Sequence, residues 1–316
     1  MSSRLFARVL AGALIAAGLW TGGCQSSPQT PGGGNVAQPK ALPPIKSVID
    51  AQNERVRGLD SLWARVSLRV DGRLANATLN KEEAEGYLQV IFPTKVAVII
   101  NKLGNTYFYL GSNEELYWWF DLTGDKVAFF GRHAKATPET VDRFGIPVHP
   151  LDLIELMAIT PIPLPGQPGS PEKLHWSTDR TLLWYDLPAR GSTKRVLVDP
   201  QSMLPVMVEL LDGSDKVVVR SELSKYVAFQ SRSVVGATPS LPSRCIIKVP
   251  RQDLTITINL NDPGNGTAGG KPINPAAFDF IKLLKESYRV PRLIDLDKRE
   301  TMDGAEPPTA PDGASK

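Results

Sequence analysis

Two thiols, three imidazoles and a scatter of carboxylates are the groups in this 316-residue chain that could do chemistry. The thiols are Cys24 and Cys245. Cys24 stands directly after Thr21-Gly22-Gly23, at the end of an apolar run. Cys245 opens another apolar run, Cys245-Ile-Ile-Lys-Val249, and reads as a small buried hydrophobe rather than a reactive thiol. His133, His149 and His175 show no metal-ligand helix spacing and no His-Glu-x-x-His motif. His149, between Val148 and Pro150, reads as a helix-entry residue. There is no Gly-x-Ser-x-Gly elbow, P-loop or dinucleotide fingerprint. The carboxylates lie on turns and wet strand faces, so no acid/base pair can be named, although glycosidase carboxylates need no local motif. No catalytic residue, metal ligand or cofactor is predicted, and the chain is not expected to be an enzyme.

The surroundings of Cys24 give its thiol a different use. The chain opens with Arg4 and Arg8 in a short positive segment, and Val9–Trp20 follows without a charge. That stretch is too short to span a bilayer, which needs about 20 apolar residues, but it suits the apolar region of a signal peptide. With Thr21-Gly22-Gly23-Cys24 it resembles the leader and lipobox of bacterial lipoproteins, although Thr21 stands where the family usually has Leu. The resemblance implies cleavage before Cys24 and a diacylglycerol joined to its sulfur as a thioether, the glycines letting the backbone enter the peptidase. It also implies anchoring to a membrane through Cys24. In the enterobacterial sorting rule an Asp after the cysteine retains a lipoprotein in the inner membrane. Gln25 therefore resembles an address to the outer membrane, facing the periplasm.

Removing residues 1–23 takes away Arg4 and Arg8 and leaves 34 basic against 33 acidic residues, a net charge of +1. With no basic stripe, nucleic acid is not an expected partner. Residues 24–43 are rich in Gly, Pro, Ser and Gln and read as a flexible tether. Residues 299–316 read as a disordered tail. The length between, 44–298, suits one large domain, with no disulfide framework to stabilise it.

Within that domain, Ile45, Val48, Ile49, Val56 and Leu59 share one helical face, which predicts an amphipathic helix of about four turns. Its mixed charge (Lys46, Asp50, Glu54, Arg55 and Arg57) favours covering a sheet over lying on a membrane. The period then changes to two in Leu62–Val70, where even positions are apolar. Further strands are expected near 86–92, 95–102, 106–110, 115–121 and 126–130, between short turn signals. Short helices are expected over 138–144 and 150–158, followed by a proline-dense loop at 161–171. Strands resume near 173–178, 181–187, 194–199, 203–211, 216–227, 243–249 and 253–260. Asp199-Pro-Gln-Ser202 and Asp212-Gly-Ser-Asp215 are the hairpin turns, and a helical segment covers about 274–285. The fold class is mainly β. About a dozen antiparallel strands should form one large curved sheet, a half-open barrel covered by a few helices.

The segment Arg195-Val-Leu-Val-Asp-Pro-Gln-Ser-Met-Leu-Pro205, then Val206–Leu211, Asp212-Gly213 and Lys216–Tyr226, resembles the LolA/LolB lipoprotein-sorting superfamily. That family uses a strand ending in Asp, a turn, Leu-Pro, a strand, an Asp-Gly turn and a third strand. The resemblance spans roughly 44–285. It implies a half-barrel with a helical lid over an apolar cavity that takes the acyl chains of other lipoproteins, each buried CH₂ contributing about 0.8 kcal/mol. Inward candidates are Val66, Leu68, Leu88, Val90, Val98 and Ile100. LolB inserts acyl chains with the help of a protruding leucine-bearing loop. Ile162 and Leu164 are exposed-looking apolar residues here, but their loop comes too late in the chain to align.

A second surface is offered by Tyr107-Phe108-Tyr109 and Tyr117-Trp118-Trp119-Phe120 on neighbouring strands. If one face is core, the other could display Tyr107, Tyr109, Tyr117 and Trp119 as an aromatic platform for sugar rings, peptidoglycan or a protein. Two functions follow as expectations. One is a membrane-anchored lipoprotein that binds acyl chains or lipoproteins in an apolar cavity, in lipoprotein localisation to the outer membrane. The alternative is a structural or interaction lipoprotein that docks protein or cell-wall partners of the cell envelope.

Overall fold

Alternation of apolar and polar residues builds nearly all of the domain. The computed structural model describes residues 41–74, 77–137, 149–268, 271–298 and 300–303. Cys24, the leader, most of the tether and the helix expected over 138–144 lie outside the described residues. The first element is helix α1, Ile45–Val56. A meander follows through β1 (Ser61–Leu74), β2 (Ala77–Ile91), β3 (Lys95–Lys102), β4 (Asn105–Ser112), β5 (Leu116–Asp121) and β6 (Val127–Arg132). Helix α2, Pro150–Leu156, separates it from a second run: β7 (His175–Trp176), β8 (Leu183–Ala189), β9 (Ser192–Val198), β10 (Pro205–Leu211), β11 (Val217–Ala228), β12 (Ser240–Val249) and β13 (Leu254–Gly264). The small hairpin of β14 (Thr267–Ala268) and β15 (Lys271–Pro272) comes next. A helical stretch over Pro275–Ser287 contains the short α3, Phe280–Lys282. Strands β16 (Arg292–Asp295) and β17 (Glu300–Asp303) complete the described chain.

Fifteen of these strands form one sheet, in the order β17-β16-β6-β5-β4-β3-β2-β1-β13-β12-β11-β10-β9-β8-β7. The sheet is curved and not closed. A curved open sheet with a few helices is the mainly β architecture expected from the sequence. Its two meanders meet at one seam, where β1 pairs with β13 (Val66 with Leu260, Leu68 with Ile258). The Asp199 and Asp212 turns form as expected. Each carboxylate accepts backbone N–H groups of its own turn, from Ser202 at 3.0 Å and from Ser214 at 2.9 Å.

Three features depart from the sequence expectation. Strand β2 begins at Ala77, well before 86, because Glu83 and Glu85 sit on the outer face where charge is no obstacle to a strand. The tail expected from 299 still contributes Glu300–Asp303, which pairs with β16 after a turn in which the Asp295 carboxylate accepts the Asp297 N–H at 2.9 Å. Strand β16 pairs with β6 in parallel, so the sheet is not wholly antiparallel.

Both faces of the β3–β6 half are buried. On the inner face, Val96, Val98, Ile100 and Leu110 pack with Leu62, Val66, Leu88 and Val90 of β1 and β2 and with α1 and α2 in one apolar cluster. On the outer face, Tyr109, Trp118, Phe120 and Phe130 pack under Phe278, Phe280, Leu283 and Leu284. The ladders are tight in places. A Cβ on Gly86 would come within 1.8 Å of the Ile99 carbonyl oxygen in the neighbouring strand. Because that obstacle is backbone, Gly86→Ala is expected to cost about 2 kcal/mol, in the overpacking range. Urea unfolding would measure it as a lower midpoint at constant slope.

Candidate functional site

The inner face of the sheet is apolar over most of its strands. Its residues alternate inward as Leu62, Ala64 and Val66 on β1, Leu88 and Val90 on β2, and Val96, Val98 and Ile100 on β3, all buried. From the second meander come Leu183, Tyr185 and Leu187, then Val196, Val208, Leu223, Cys245, Ile247, Leu254, Ile258 and Leu260. Five of the six sequence candidates are buried here, and Leu68 packs on them partly buried. They do not face open space: Val48 and Ile49 of α1 and Leu151, Leu153, Ile154 and Leu156 of α2 fill the concavity against them. Cys245 is fully buried in the same layer, and desolvation pushes its thiol up to about 12, as expected of a hydrophobe. Grooves of about 940, 870 and 530 Å³ run along the outer face, lined largely by charged and polar side chains such as Arg65, Glu85, Arg244 and Lys173.

The helical cover is held by polar ties at three points. At the α1 end, the Gln52 amide donates to the Ala158 carbonyl at 2.8 Å and the Thr160 carbonyl at 3.1 Å. Asn53 donates to the Ile162 carbonyl at 2.9 Å and accepts the Ile162 N–H at 2.7 Å. The Arg55 guanidinium, 8% exposed, donates to the carbonyls of Ala158 and Ser240 and to Gln52, and lies 5.4 Å from the Tyr226 ring centroid. Burial pulls the pKa of Arg55 below the ordinary guanidinium value, and the nearby tyrosines oppose that. Arg55, one of the mixed charges of α1, is therefore an internal clasp between α1, the loop after α2 and β12.

The second tie is ionic. Asp152 of α2 pairs with Arg190 in the β8–β9 hairpin, and Glu155 pairs with Lys194 of β9. Burial raises the Asp152 carboxyl pKa and Arg190 opposes the shift. The third tie is a pair of histidines. His133 Nδ1 and His149 Nε2 are 3.2 Å apart, and both rings lie beside Tyr117. As expected, His149 is the entry residue of α2, its Nδ1 accepting the Leu151 N–H at 3.1 Å. Its pairing with His133 was not predicted: nothing in the local sequence signals a contact between two imidazoles sixteen positions apart.

The aromatic platform does not form as a single surface. In the β4–β5 register Tyr109 stands opposite Phe120, Leu110 opposite Trp119 and Ser112 opposite Tyr117. Tyr107 and Tyr109 therefore share the outer face, whereas Tyr117 and Trp119 point inward. Tyr109 is buried and donates to the Ala277 carbonyl under the C-terminal helical stretch. Tyr117 is buried beside the histidines, Trp119 is half-buried against Phe108, and only Tyr107 is exposed. Of the two loop residues, Ile162 is buried and Leu164 exposed. A residue the sequence did not single out is Leu103, 96% exposed at the tip of the β3–β4 hairpin with φ of 51°. Exposed Tyr107 lies near it in the chain, with the Lys102 ammonium 5.5 Å over the Tyr107 ring.

No family model matches the chain, and neither does any curated protein. Solved structures of similar fold include a LolA superfamily protein from Nitrosomonas europaea, at 12% identity over 70% of this chain and 93% of that one, with a TM-score of 0.44. A domain from Vibrio parahaemolyticus, described as outer membrane lipoprotein-sorting, matches at 12% identity over 75% and 97% of the two chains, with a TM-score of 0.47. A DUF1329 family protein from Desulfovibrio piger matches at 10% identity over 77% and 100%, with a TM-score of 0.43.

Proposed function

We propose that this protein is a lipoprotein held by lipid on Cys24 to the periplasmic face of the outer membrane, where it binds acyl chains of other lipoproteins between the sheet and its helical cover. The supporting observation is the contrast between the two layers of the site. The inner face is continuous hydrocarbon, while the helices over it are short and held to the rim by a few polar ties. Sliding the helices off would present hydrocarbon to hydrocarbon, and each buried CH₂ would contribute about 0.8 kcal/mol. The address rests on the leader and Gln25. No catalytic step is proposed.

Leu103 extends the reading to the membrane. A leucine at positive φ with its side chain in water gains from neither backbone preference nor burial. Contact with lipid would supply the missing burial, and Tyr107 and Lys102 suit the headgroup layer. The test is titration of the full mature chain, carrying Cys24→Ser, with a fluorescent fatty acid and competition by a diacyl lipopeptide. Saturable binding displaced by the lipopeptide is expected. Leu103→Asp should leave that affinity unchanged and weaken association with vesicles about tenfold, the value of burying one leucine. A cooperatively folded protein that binds no acyl probe would retire the reading. The docking role would then take its place, favoured by the close packing of the inner face.

A further inference from the structure

The histidine pair has a defined direction. The Asn113 carbonyl, 2.9 Å from His133 Nε2, can only accept, so that nitrogen carries a hydrogen. The Leu151 N–H can only donate, so His149 Nδ1 is bare. Each neutral ring has one hydrogen to place. His149 Nε2–H therefore donates to His133 Nδ1, and one unbroken chain runs from the first turn of α2 through both rings to the β4–β5 turn. Every ring nitrogen is used, and each has its partner only while both rings are neutral. A proton on His133 Nδ1 would face the His149 N–H at 3.2 Å, and one on His149 Nδ1 would face the Leu151 N–H.

We propose that the His133–His149 hydrogen bond is a proton-sensitive latch that holds the N-terminal end of α2 against the inner face of the sheet and releases it in mild acid. The groups around it oppose protonation. His149 is 1% exposed beneath Tyr117 of β5, with ring centroids 4.5 Å apart. Desolvation, first, and the Arg190 cation of the β8–β9 hairpin hold both imidazoles below the ordinary value of 6.5, His149 well below it, although at His133 the bond to the Asn113 carbonyl opposes the shift more than Arg190 adds to it. The other charges about the pair are Asp152 and Glu155 of α2, Lys194 of β9, and Glu115 in the β4–β5 turn, whose carbonyl accepts the His133 N–H. Arg132 and Lys135 flank His133, Arg132 being paired with Asp297.

The released helix binds protons on these rings at the ordinary pKa and the latched helix binds them only at lower pH. Latching is therefore fully favourable above about pH 6.5 and is lost as pH falls below it, by about tenfold at pH 5.5 through His149, with His133 adding in the same direction. Asp152 acts in the opposite sense, since its raised pKa favours the packed state as the carboxyl protonates. Acid opening would uncover Leu151, Ile154 and the strands beneath them. That an acyl chain then enters rests on the proposed function; the latch itself does not.

The test is amide hydrogen exchange of the full mature chain carrying Cys24→Ser, at pH 7.5 and 5.5, expressed as protection over intrinsic rates. Protection of residues 151–157 should fall at least tenfold in acid while β11 and β12 stay protected. His149→Asn keeps an acceptor for the Leu151 N–H, keeps Asp152 and cannot titrate, so its α2 should show no such fall. Should that variant misfold, the ring nitrogen shifts of the wild type decide instead: both imidazoles must titrate below 6.5, and both must be the Nε2–H tautomer at pH 7.5. Unchanged α2 protection in the wild type at pH 5.5, or an equal fall in His149→Asn, would overturn the latch. Acid release without uptake of a fluorescent fatty acid at either pH would keep the latch and sink the acyl reading. Equal uptake at both pH values with a protected α2 would do the reverse.

Discussion

Arg55→Ala is expected to lower stability by about 3 kcal/mol, because the truncation removes charge-assisted bonds from the buried Ala158 carbonyl, the half-buried Ser240 carbonyl and Gln52 at once. Part of the loss is offset, since the variant no longer buries a charge. The Ala158 carbonyl keeps its bond from Gln52, but the Ser240 carbonyl loses the Arg55 donor. Arg55→Met restores the aliphatic volume without the donors and should fall between wild type and alanine. Arg55→Lys keeps the charge but not the fork, so it cannot reach Ala158, Ser240 and Gln52 together and should recover less than half of the loss. Thermal unfolding would show the alanine variant at roughly 6–12 °C below wild type. A shift within error of zero would mean that the clasp contributes nothing net. If the helices lift as a unit, the same variant should also bind acyl probes faster than wild type.

Trp118→Ala should be still more damaging, at about 4 kcal/mol, within the range for emptying a large aromatic site. Trp118 is fully buried on the outer face and packs against Phe280, with ring centroids 5.4 Å apart. Its Nε1 has no hydrogen-bond partner among the described residues. Trp118→Phe should therefore be mild, because the cavity it leaves is offset by removal of a buried unpaired N–H. The neighbouring strand supplies a control. A Cβ on Gly111 would come within 2.5 Å of the Trp118 indole, so Gly111 is the space the indole occupies. Gly111→Ala should be costly beside Trp118 and nearly silent in Trp118→Ala. A double-mutant cycle would report that difference as coupling, and additivity would show that the ring can move aside.

The inner half of the site was legible in the sequence because a strand with one dry face must alternate. Leu62 to Val70 and Leu254 to Leu260 declare which way they point whatever packs on them. The Asp199 and Asp212 turns were equally legible, since each is made by its own carboxylate. The outer face was not. Tyr109 looks like part of a display surface until residues from Ile273 to Leu293, some 160 to 180 positions later, are placed over it and its neighbour Trp118. Nothing local says that a second apolar layer is coming. The cover's ties were hidden for the opposite reason. Arg55 and Lys194 carry charges that belong in water by default, and only their partners from other elements explain their burial. Leu103 escaped notice because the chain tip looked like an ordinary Gly104-Asn105 turn, and a tip carries no periodicity.

The seam between β1 and β13 bears on how the molecule comes to be folded. Each meander is a series of neighbours in sequence, and such contacts close quickly because little chain entropy is lost in forming them. The pairing of Val66 with Leu260 instead joins parts of the chain nearly two hundred residues apart. A chain crossing a membrane N-terminus first would complete β1 to β6 long before β13 arrives. Until then β1 has a bare edge and the aromatic face over Trp118 has no cover. Made from its N-terminus, the polypeptide would thus pass through a stage with an open strand and a sticky surface side by side, two features that promote aggregation.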